Sequence, residues 1–188
     1  MLRSLPVPPQ HSGVSGGKGA APDAKGGGFG RAMSGSIDPS VTWSDVSWIR
    51  KQVTSYPLPG TTSLSSSNDV PLIGVKGIQC VQDALIAIDV GVNIIWLSNH
   101  GGRALDTAPP ALYVLAELRR DHPWVFNLPN VEFYVDGGIR RGTDVVKALC
   151  LGAKAVGLGR PFLYSLQYGV DGVQHAIQSE SLLSPMLF

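Results

Sequence analysis

The sequence predicts an α/β fold in which four strands alternate with helices around a parallel sheet. Two observations lead to this fold class. Short apolar segments recur between Val70 and Leu158, and each is followed by a polar turn and then by helical apolar spacing or a further helical region. The run VNIIWL, Val92–Leu97, is apolar throughout, as expected of a strand buried on both faces of a sheet. Four strands fit either an open doubly wound sheet or part of an eight-stranded barrel, and periodicity alone does not decide between them.

Low-complexity sequence surrounds the first predicted helix. Residues 1–36 are rich in glycine, proline and serine, which predicts disorder and places the structured domain at residues 37–188. A helix is expected next, with Asp38 or Ser40 as its cap. Its apolar face is formed by Trp43, Val46, Ile49 and Val53. Residues 57–71, PLPGTTSLSSSNDVP, predict an inserted surface loop.

The remaining elements follow in regular alternation. Strands are predicted at Val70–Val75, Val92–Leu97, Val131–Val135 and Ala155–Leu158. Helices are predicted at Val81–Val90, Pro109–Arg120 and Thr143–Leu151, with a further helical region from about Pro161. Gly91 and Gly152 are expected to end two of these helices, because glycine readily adopts the left-handed conformation of a helix C-terminus.

The composition excludes several classes of protein. The chain has 188 residues and a formal net charge of +1, which gives no indication of a nucleic-acid partner or an anionic membrane surface. No apolar run reaches the ~18 residues that a membrane span needs. The two cysteines, Cys80 and Cys150, lack metal-ligand spacing, so we expect packed, reduced thiols and no metal site. An intracellular compartment is expected, although no targeting signal identifies it.

Polar residues cluster directly after each predicted strand. Lys76 follows the first strand, SNHGGR (Ser98–Arg103) the second, DGGIRRG (Asp136–Gly142) the third, and Gly159 with Arg160 the fourth. Ligands bind at the carboxyl ends of the strands in parallel α/β folds. The repetition of polar residues at these four positions therefore predicts a ligand site at that edge of the sheet.

The last two strand ends have features of a phosphate site. The glycines of DGGIRRG and GLGRP allow backbone N–H groups to approach an anion, and Arg140 and Arg160 add positive charge. The alternative is that these glycines only make tight turns. Two neighbouring turns, each with an arginine, favour a phosphate group, as in barrels that bind phosphate after strands 7 and 8.

His100 and Arg103 predict a chemical step at the second strand end. His100 is followed by two glycines, which leave its side chain accessible, and then by Arg103. A histidine can act as a base near neutral pH, and an arginine can bind a carboxylate through two parallel hydrogen bonds. The four tryptophans are expected to be packing residues.

These motifs resemble the FMN-dependent 2-hydroxy-acid dehydrogenase family, which includes glycolate and lactate oxidases and flavocytochrome b2. The resemblance rests on VKGI (Val75–Ile78), SNHGGR, and the block from Asp136 to Tyr164, and it covers roughly Asp38 to Gln178. It implies a (β/α)8 TIM barrel of which this chain holds strands five to eight, with the first half of the barrel absent.

The resemblance also implies a role for each strand-end residue. Lys76 is expected against the flavin pyrimidine edge, His100 as the proton acceptor at the substrate C2 position, and Arg103 on the substrate carboxylate. The other expected FMN contacts are Ser98, Asp136, Gly137, Gly138, Ile139, Arg140, Gly159 and Arg160.

The implied reaction is the FMN-dependent oxidation of a small 2-hydroxy acid to a 2-oxo acid, with oxygen or another electron acceptor taking the electrons. The alternative is a non-catalytic fragment that at most binds a phosphate-bearing ligand or pairs with another barrel half. A half barrel has two open sheet edges, which predicts association with a second copy or with a missing N-terminal chain.

Overall fold

The computed structural model describes residues 38, 40–55 and 71–181. The chain divides into two units, Met1–Asp69 and Val70–Phe188. The predicted disordered segment 1–36 lies outside the described residues, as does the predicted inserted loop 57–71 except for Pro71. Within the part of the chain that the structure describes, no helix is long and apolar enough to cross a membrane.

The described part of the first unit contains helix α1, Trp43–Ser55. Thr42 precedes the helix, and its backbone N–H donates to the Asp45 carboxylate at 2.7 Å, as in one half of a capping box. The expectation that Asp38 or Ser40 caps this helix is wrong. The Asp38 carboxylate instead accepts from the backbone N–H and hydroxyl of Ser40, which makes a local turn before the helix.

The second unit is an alternation of strands and helices. The strands are β1 (Gly74–Ile78), β2 (Ile94–Leu97), β3 (Glu132–Asp136) and β4 (Ala155–Gly157). The helices are α2 (Val81–Asp89), α3 (Ala111–Asp121), α4 (Gly142–Cys150), α5 (Arg160–Ser165) and α6 (Gly169–Ser181). Two short 3₁₀ helices, Pro123–Asn127 and Leu166–Tyr168, were not predicted. Gly91 and Gly152 follow α2 and α4 with φ of 84° and 106°, which confirms their predicted place at helix ends.

The four strands form one parallel sheet in the order β1-β2-β3-β4. Strand order reverses at the switch point of a doubly wound sheet, whereas consecutive strands remain neighbours in a barrel. The observed order therefore favours the barrel alternative that periodicity left open.

The predicted first strand was placed too early in the chain. Pairing with β2 runs from Gly74 opposite Ile94 to Ile78 opposite Leu97, with an irregularity at Gly77, whose φ is 102°. Lys76 consequently lies within β1, opposite Trp96, and does not follow the strand as predicted. The apolar run locates the strand, but the ladder with β2 sets its bounds.

The core lies between one face of the sheet and the helices. Ile95, Leu97, Phe133 and Val135 point to this face and are almost completely buried. They are covered by α2 and α3, whose buried side chains recur at helical spacing: Val81, Ala84, Ala87, Ala111, Val114, Leu115 and Leu118. Both cysteines are free; Cys150 is exposed, so the expectation that it is packed is wrong, because it lies on the outer side of α4.

Candidate active site

A cavity of about 910 Å³ lies at the carboxyl ends of the four strands. Ten of the eleven residues that the sequence singled out line it, so the structure brings these residues together in one place. They are Lys76, His100, Arg103, Asp136, Gly137, Gly138, Ile139, Arg140, Gly159 and Arg160. Ser98, the eleventh, is 1% exposed and lies behind the cavity wall.

An ion pair joins Lys76, within β1, to Asp136 at the end of β3. The Lys76 ammonium lies 3.2 Å from Asp136 Oδ2 and donates to the Ser98 hydroxyl at 3.0 Å. The Ser98 hydroxyl in turn donates to Asp136 Oδ1. Because the Lys76 side chain is 41% exposed, its charge remains available to a ligand in the cavity while the carboxylate fixes its position.

The loop after β2 carries His100 and Arg103 in an uncommon backbone conformation. His100, Gly101 and Gly102 have φ of 59°, 66° and 79°, in the left-handed region that side chains other than glycine seldom adopt. The Asn99 amide oxygen accepts from the Gly102 N–H at 3.0 Å, which closes the turn. His100 and Arg103 are both exposed and line the same cavity.

The turn after β3 has no side chains at Gly137 and Gly138, so a ligand in the cavity can approach its backbone closely. Gly137 and Gly138 have φ of 88° and 82°, a conformation that glycine adopts freely and that is strained for residues with a Cβ. A Cβ at Gly137 would lie 3.1 Å from the Asn99 amide oxygen, so this turn also packs closely against the His100 loop. Asp144 Oδ2 accepts from the backbone N–H groups of Arg140 and Arg141 at 3.2 and 3.3 Å, which fixes the start of α4.

Arg160 connects the fourth strand end with the second. Its guanidinium donates to the Gly101 carbonyl oxygen at 2.5 Å, across 59 positions of sequence. Arg140 and Arg160 therefore both line the cavity beside the His100 loop, and their charges make this end of the cavity suitable for an anion.

Trp96 and Gly157 belong to the cavity, although sequence reasoning did not assign them to it. Trp96 was expected to be only a packing residue. Its ring lies 5.8 Å from the Lys76 ammonium and 5.7 Å from the Tyr134 ring, and its buried Nε1 has no hydrogen-bond partner. A Cβ at Gly157 would approach Asp136 Cβ to 3.0 Å. Strand alternation could have identified Trp96. It lies two residues before Ser98, so both side chains point to the same side of the sheet.

Tyr134 and Glu132 occupy the same face of β3, below the cavity. The Tyr134 hydroxyl donates to Glu132 Oε2 at 3.0 Å. This hydrogen bond raises the pKa of Tyr134, and burial and the negative charge of Glu132 act in the same direction. Within the described part of the chain, no group of three or more histidine, cysteine or acidic side chains is placed to hold a metal ion.

Comparison with known proteins connects this geometry with a family. The model of the family described as FMN-dependent dehydrogenase matches residues 3–181. The L-lactate dehydrogenase (cytochrome) of Wickerhamomyces anomalus is 45% identical over 152 residues, which are 80% of this chain and 24% of that protein. The 2-hydroxyacid oxidase 1 of Mus musculus is 40% identical over 152 residues, 80% of this chain and 35% of that protein.

Solved structures give the same result for the fold. The flavin-binding domain of baker's yeast flavocytochrome b2 aligns with a TM-score of 0.66 and 44% identity, over 83% of this chain and 36% of that one. A mandelate oxidase variant with (S)-mandelic acid aligns with a TM-score of 0.57 and 36% identity, over 75% of this chain and 36% of that one. The predicted fold class, part of a (β/α)8 barrel, is confirmed. The chain spans between about a quarter and somewhat over a third of the length of these relatives.

Proposed function

The chain belongs to the FMN-dependent dehydrogenase family, and from this premise we propose that its cavity binds FMN and takes part in oxidising a 2-hydroxy acid to a 2-oxo acid. One observation carries the proposal. Three cations and a His–Arg pair, contributed by all four strands or the turns that follow them, surround a single cavity: Lys76, Arg140, Arg160, His100 and Arg103.

The donor set of the cavity suits a flavin mononucleotide. Its volume of about 910 Å³ lies within the range of about 300–1,000 Å³ typical of small-molecule and cofactor sites. Arg140 and Arg160 would hold the phosphate, together with backbone N–H groups of the Gly137–Gly138 turn and the N-terminus of α4. Gly159 and the backbone of buried Ile139 complete this part of the wall.

Lys76 would stabilise negative charge at the flavin ring. When bound, FMN supplies the redox chemistry by accepting two electrons from the substrate. Lys76 is proposed to lie against the pyrimidine edge, where its ammonium offsets the charge that reduction places on the ring. Asp136 holds the ammonium at 3.2 Å, which keeps the cation oriented before any ligand arrives.

His100 and Arg103 would act on the substrate. The Arg103 guanidinium can bind the carboxylate of a 2-hydroxy acid through two parallel hydrogen bonds, which fixes the orientation of its C2 carbon. His100 would then accept a proton from the substrate as a general base. Oxygen or another acceptor is the expected recipient of the electrons.

Binding is tested by titrating FMN into the purified chain and following the quenching of flavin fluorescence. We expect saturable binding that Arg140→Ala and Arg160→Ala each weaken about tenfold or more, because a charge-assisted hydrogen bond contributes about 1.5–3 kcal/mol. Arg120→Ala is the matched control, since Arg120 pairs with Asp121 at the end of α3 and does not line the cavity. The absence of saturable quenching by a folded chain would contradict the proposal.

Turnover is tested separately with the FMN-loaded chain. Added without oxygen, glycolate or L-lactate should bleach the yellow absorbance of the flavin, and His100→Gln should slow that bleaching by at least about a hundredfold, since a general base contributes about 10²–10⁴ in rate. Arg103→Lys keeps the positive charge but loses the bidentate hydrogen bonding to the carboxylate. It should mainly raise the 2-hydroxy-acid concentration needed for half-maximal bleaching.

A second candidate function is binding without turnover. Among the described residues, the edges of β1 and β4 have no strand partner, and Trp96 and Tyr134 on the cavity face are only half-buried. Such a sheet can hold a phosphate-bearing ligand and pair with another barrel half without positioning substrate and flavin for reaction. Saturable FMN binding without bleaching by any 2-hydroxy acid would favour this candidate.

A further inference from the structure

Ser98 differs from the other predicted site residues in where it lies. It follows β2 directly and is 1% exposed, whereas the other ten line the cavity. A buried hydroxyl needs hydrogen-bond partners, and those that it has indicate what it does. For Ser98 all the partners are groups of the protein.

The Ser98 hydroxyl has no remaining hydrogen-bonding capacity. A serine hydroxyl offers one proton and two lone pairs. The proton goes to Asp136 Oδ1. The lone pairs accept from the Lys76 ammonium and from the backbone N–H of His100, each at 3.0 Å. A hydrogen bond from Ser98 to a bound ligand would therefore require one of these three to break.

His100 needs such a restraint because of its backbone. Its φ of 59° lies in the left-handed region, and it is the first of three successive residues in that region. Gly101 and Gly102 adopt this conformation without steric cost, whereas His100 carries a Cβ. The loop is also held at Gly102 by Asn99 and at Gly101 by Arg160. Among the residues that the structure describes, Ser98 alone accepts a hydrogen bond from the N–H of His100 itself.

We propose that Ser98 is a positioning residue, whose hydroxyl ties the Lys76–Asp136 ion pair to the backbone of His100 and so fixes the direction in which the imidazole faces the cavity. The proposal rests on the proposed function for the role of His100 as a base. The link itself, however, is built entirely from groups of this chain and exists without a ligand.

The test is therefore made first on the chain without flavin. In Ser98→Ala, hydrogen–deuterium exchange at the His100 amide should be roughly fivefold to tenfold faster, as expected for the loss of one hydrogen bond. The NMR signals of the His100 ring, which we expect to form a single sharp set in the parent chain, should broaden or divide in the variant as the loop samples more than one conformation. Exchange in β2 and β3 should not change, because the Lys76–Asp136 pair remains.

Two further variants attribute the effect to the hydroxyl. Ser98→Thr retains the hydroxyl and should restore both the slow exchange and the sharp ring signals. Ser165→Ala removes a half-buried hydroxyl that donates to the Pro161 carbonyl within α5, and it should leave the His100 loop unchanged. Should Ser98→Ala fail to fold by circular dichroism, Ser98→Cys, with a weakly bonding thiol, replaces it in the comparison with Ser98→Thr.

Each outcome decides the proposal independently of FMN binding. Faster exchange in Ser98→Ala with recovery in Ser98→Thr supports it, even if FMN does not bind. Unchanged exchange and ring signals in Ser98→Ala would overturn it, and so would a Thr variant that behaves like the Ala variant. If Ser98→Ala weakens FMN binding but leaves the flavin-free loop unchanged, Ser98 is a flavin contact and the positioning role is wrong.

Discussion

The two faces of the four-stranded sheet are made by the same strands but differ in almost every physical property. On the helix face, Ile95, Phe133 and Val135 are 0–2% exposed and entirely apolar. On the cavity face, the strands carry the charged side chains of Lys76 and Asp136 and the half-buried rings of Trp96 and Tyr134. Because side chains alternate along a strand, neighbouring residues of β3 serve different purposes. We conclude that the helix face supplies most of the stability, whereas the cavity face carries the residues of the proposed site.

The largest expected effect lies on the helix face. Phe133→Ala should lower the free energy of unfolding by about 3–5 kcal/mol, because it removes a buried ring and leaves a cavity beside Phe126, whose ring centroid is 4.6 Å away. Urea denaturation followed by circular dichroism measures it. Tyr134→Phe, the next residue of β3, is the control on the other face and should cost about 1 kcal/mol. Equal losses for both would contradict the comparison.

Two glycine-to-alanine variants distinguish the cost of a steric clash from the cost of backbone strain. Gly152→Ala should destabilise the chain by roughly 2–4 kcal/mol, because its φ is 106° and the new Cβ would meet the Phe126 ring at 2.6 Å. Gly138→Ala, in the cavity turn, has a φ of 82° but no atom within 4 Å of the new Cβ. It should cost only about 1 kcal/mol, from strain alone. Thermal or urea unfolding of both variants provides the test, and a reversed order would contradict it.

Removing the positive charge of Lys76 should have a still smaller effect on the free energy of unfolding. Lys76→Met should change the free energy of unfolding by about 1 kcal/mol or less, since the side chain is 41% exposed and such pairs contribute little. Its effect on FMN affinity should be larger than that on stability. A loss comparable with that of Phe133→Ala would mean that the ion pair stabilises the fold and is not mainly part of the site.

The smallest expected effect is a dependence on alkaline pH. The pKa of Tyr134 is raised above 10.0 by its hydrogen bond to Glu132, so the folded chain retains this proton more strongly than the unfolded chain. This contribution to stability is present below pH 10.0 and is lost as the pH rises through the raised pKa. Glu132→Gln should lower the pKa of Tyr134 in a spectrophotometric titration of tyrosine absorbance. An unchanged titration would show that the hydrogen bond does not form in solution.

The sequence predicted the order of elements well, because that order depends on local patterns. The expectation that Val92–Leu97 is buried on both faces is wrong, since Ile95 and Leu97 are buried whereas Ile94 and Trp96 are only half-buried. The four strands, the helices between them and the two glycine stops are all present. The error in β1 arose where the pattern was weakest. Lys76 and Gly77 interrupt the apolar run, and only pairing with β2 shows that the strand continues through them to Ile78.

The site was predictable as a set of residues but not as an arrangement. The family resemblance, which the match to the FMN-dependent dehydrogenase model confirms, identified ten residues that line the cavity. The burial of Ser98 and the place of Trp96 in the cavity wall depend on contacts between different strands, which a linear pattern does not contain. The bond from Arg160 to Gly101 likewise joins positions 59 residues apart.

The central claim is that the two arginine-bearing strand ends bind the phosphate of FMN. It is tested most directly by comparing the affinities of the same chain for FMN and for riboflavin, which has the same ring and ribityl chain but no phosphate. We expect FMN to bind about a hundredfold more tightly, since each arginine contributes at least about tenfold. Equal affinities for the two flavins, or an FMN affinity that Arg140→Ala and Arg160→Ala leave unchanged, would contradict the account.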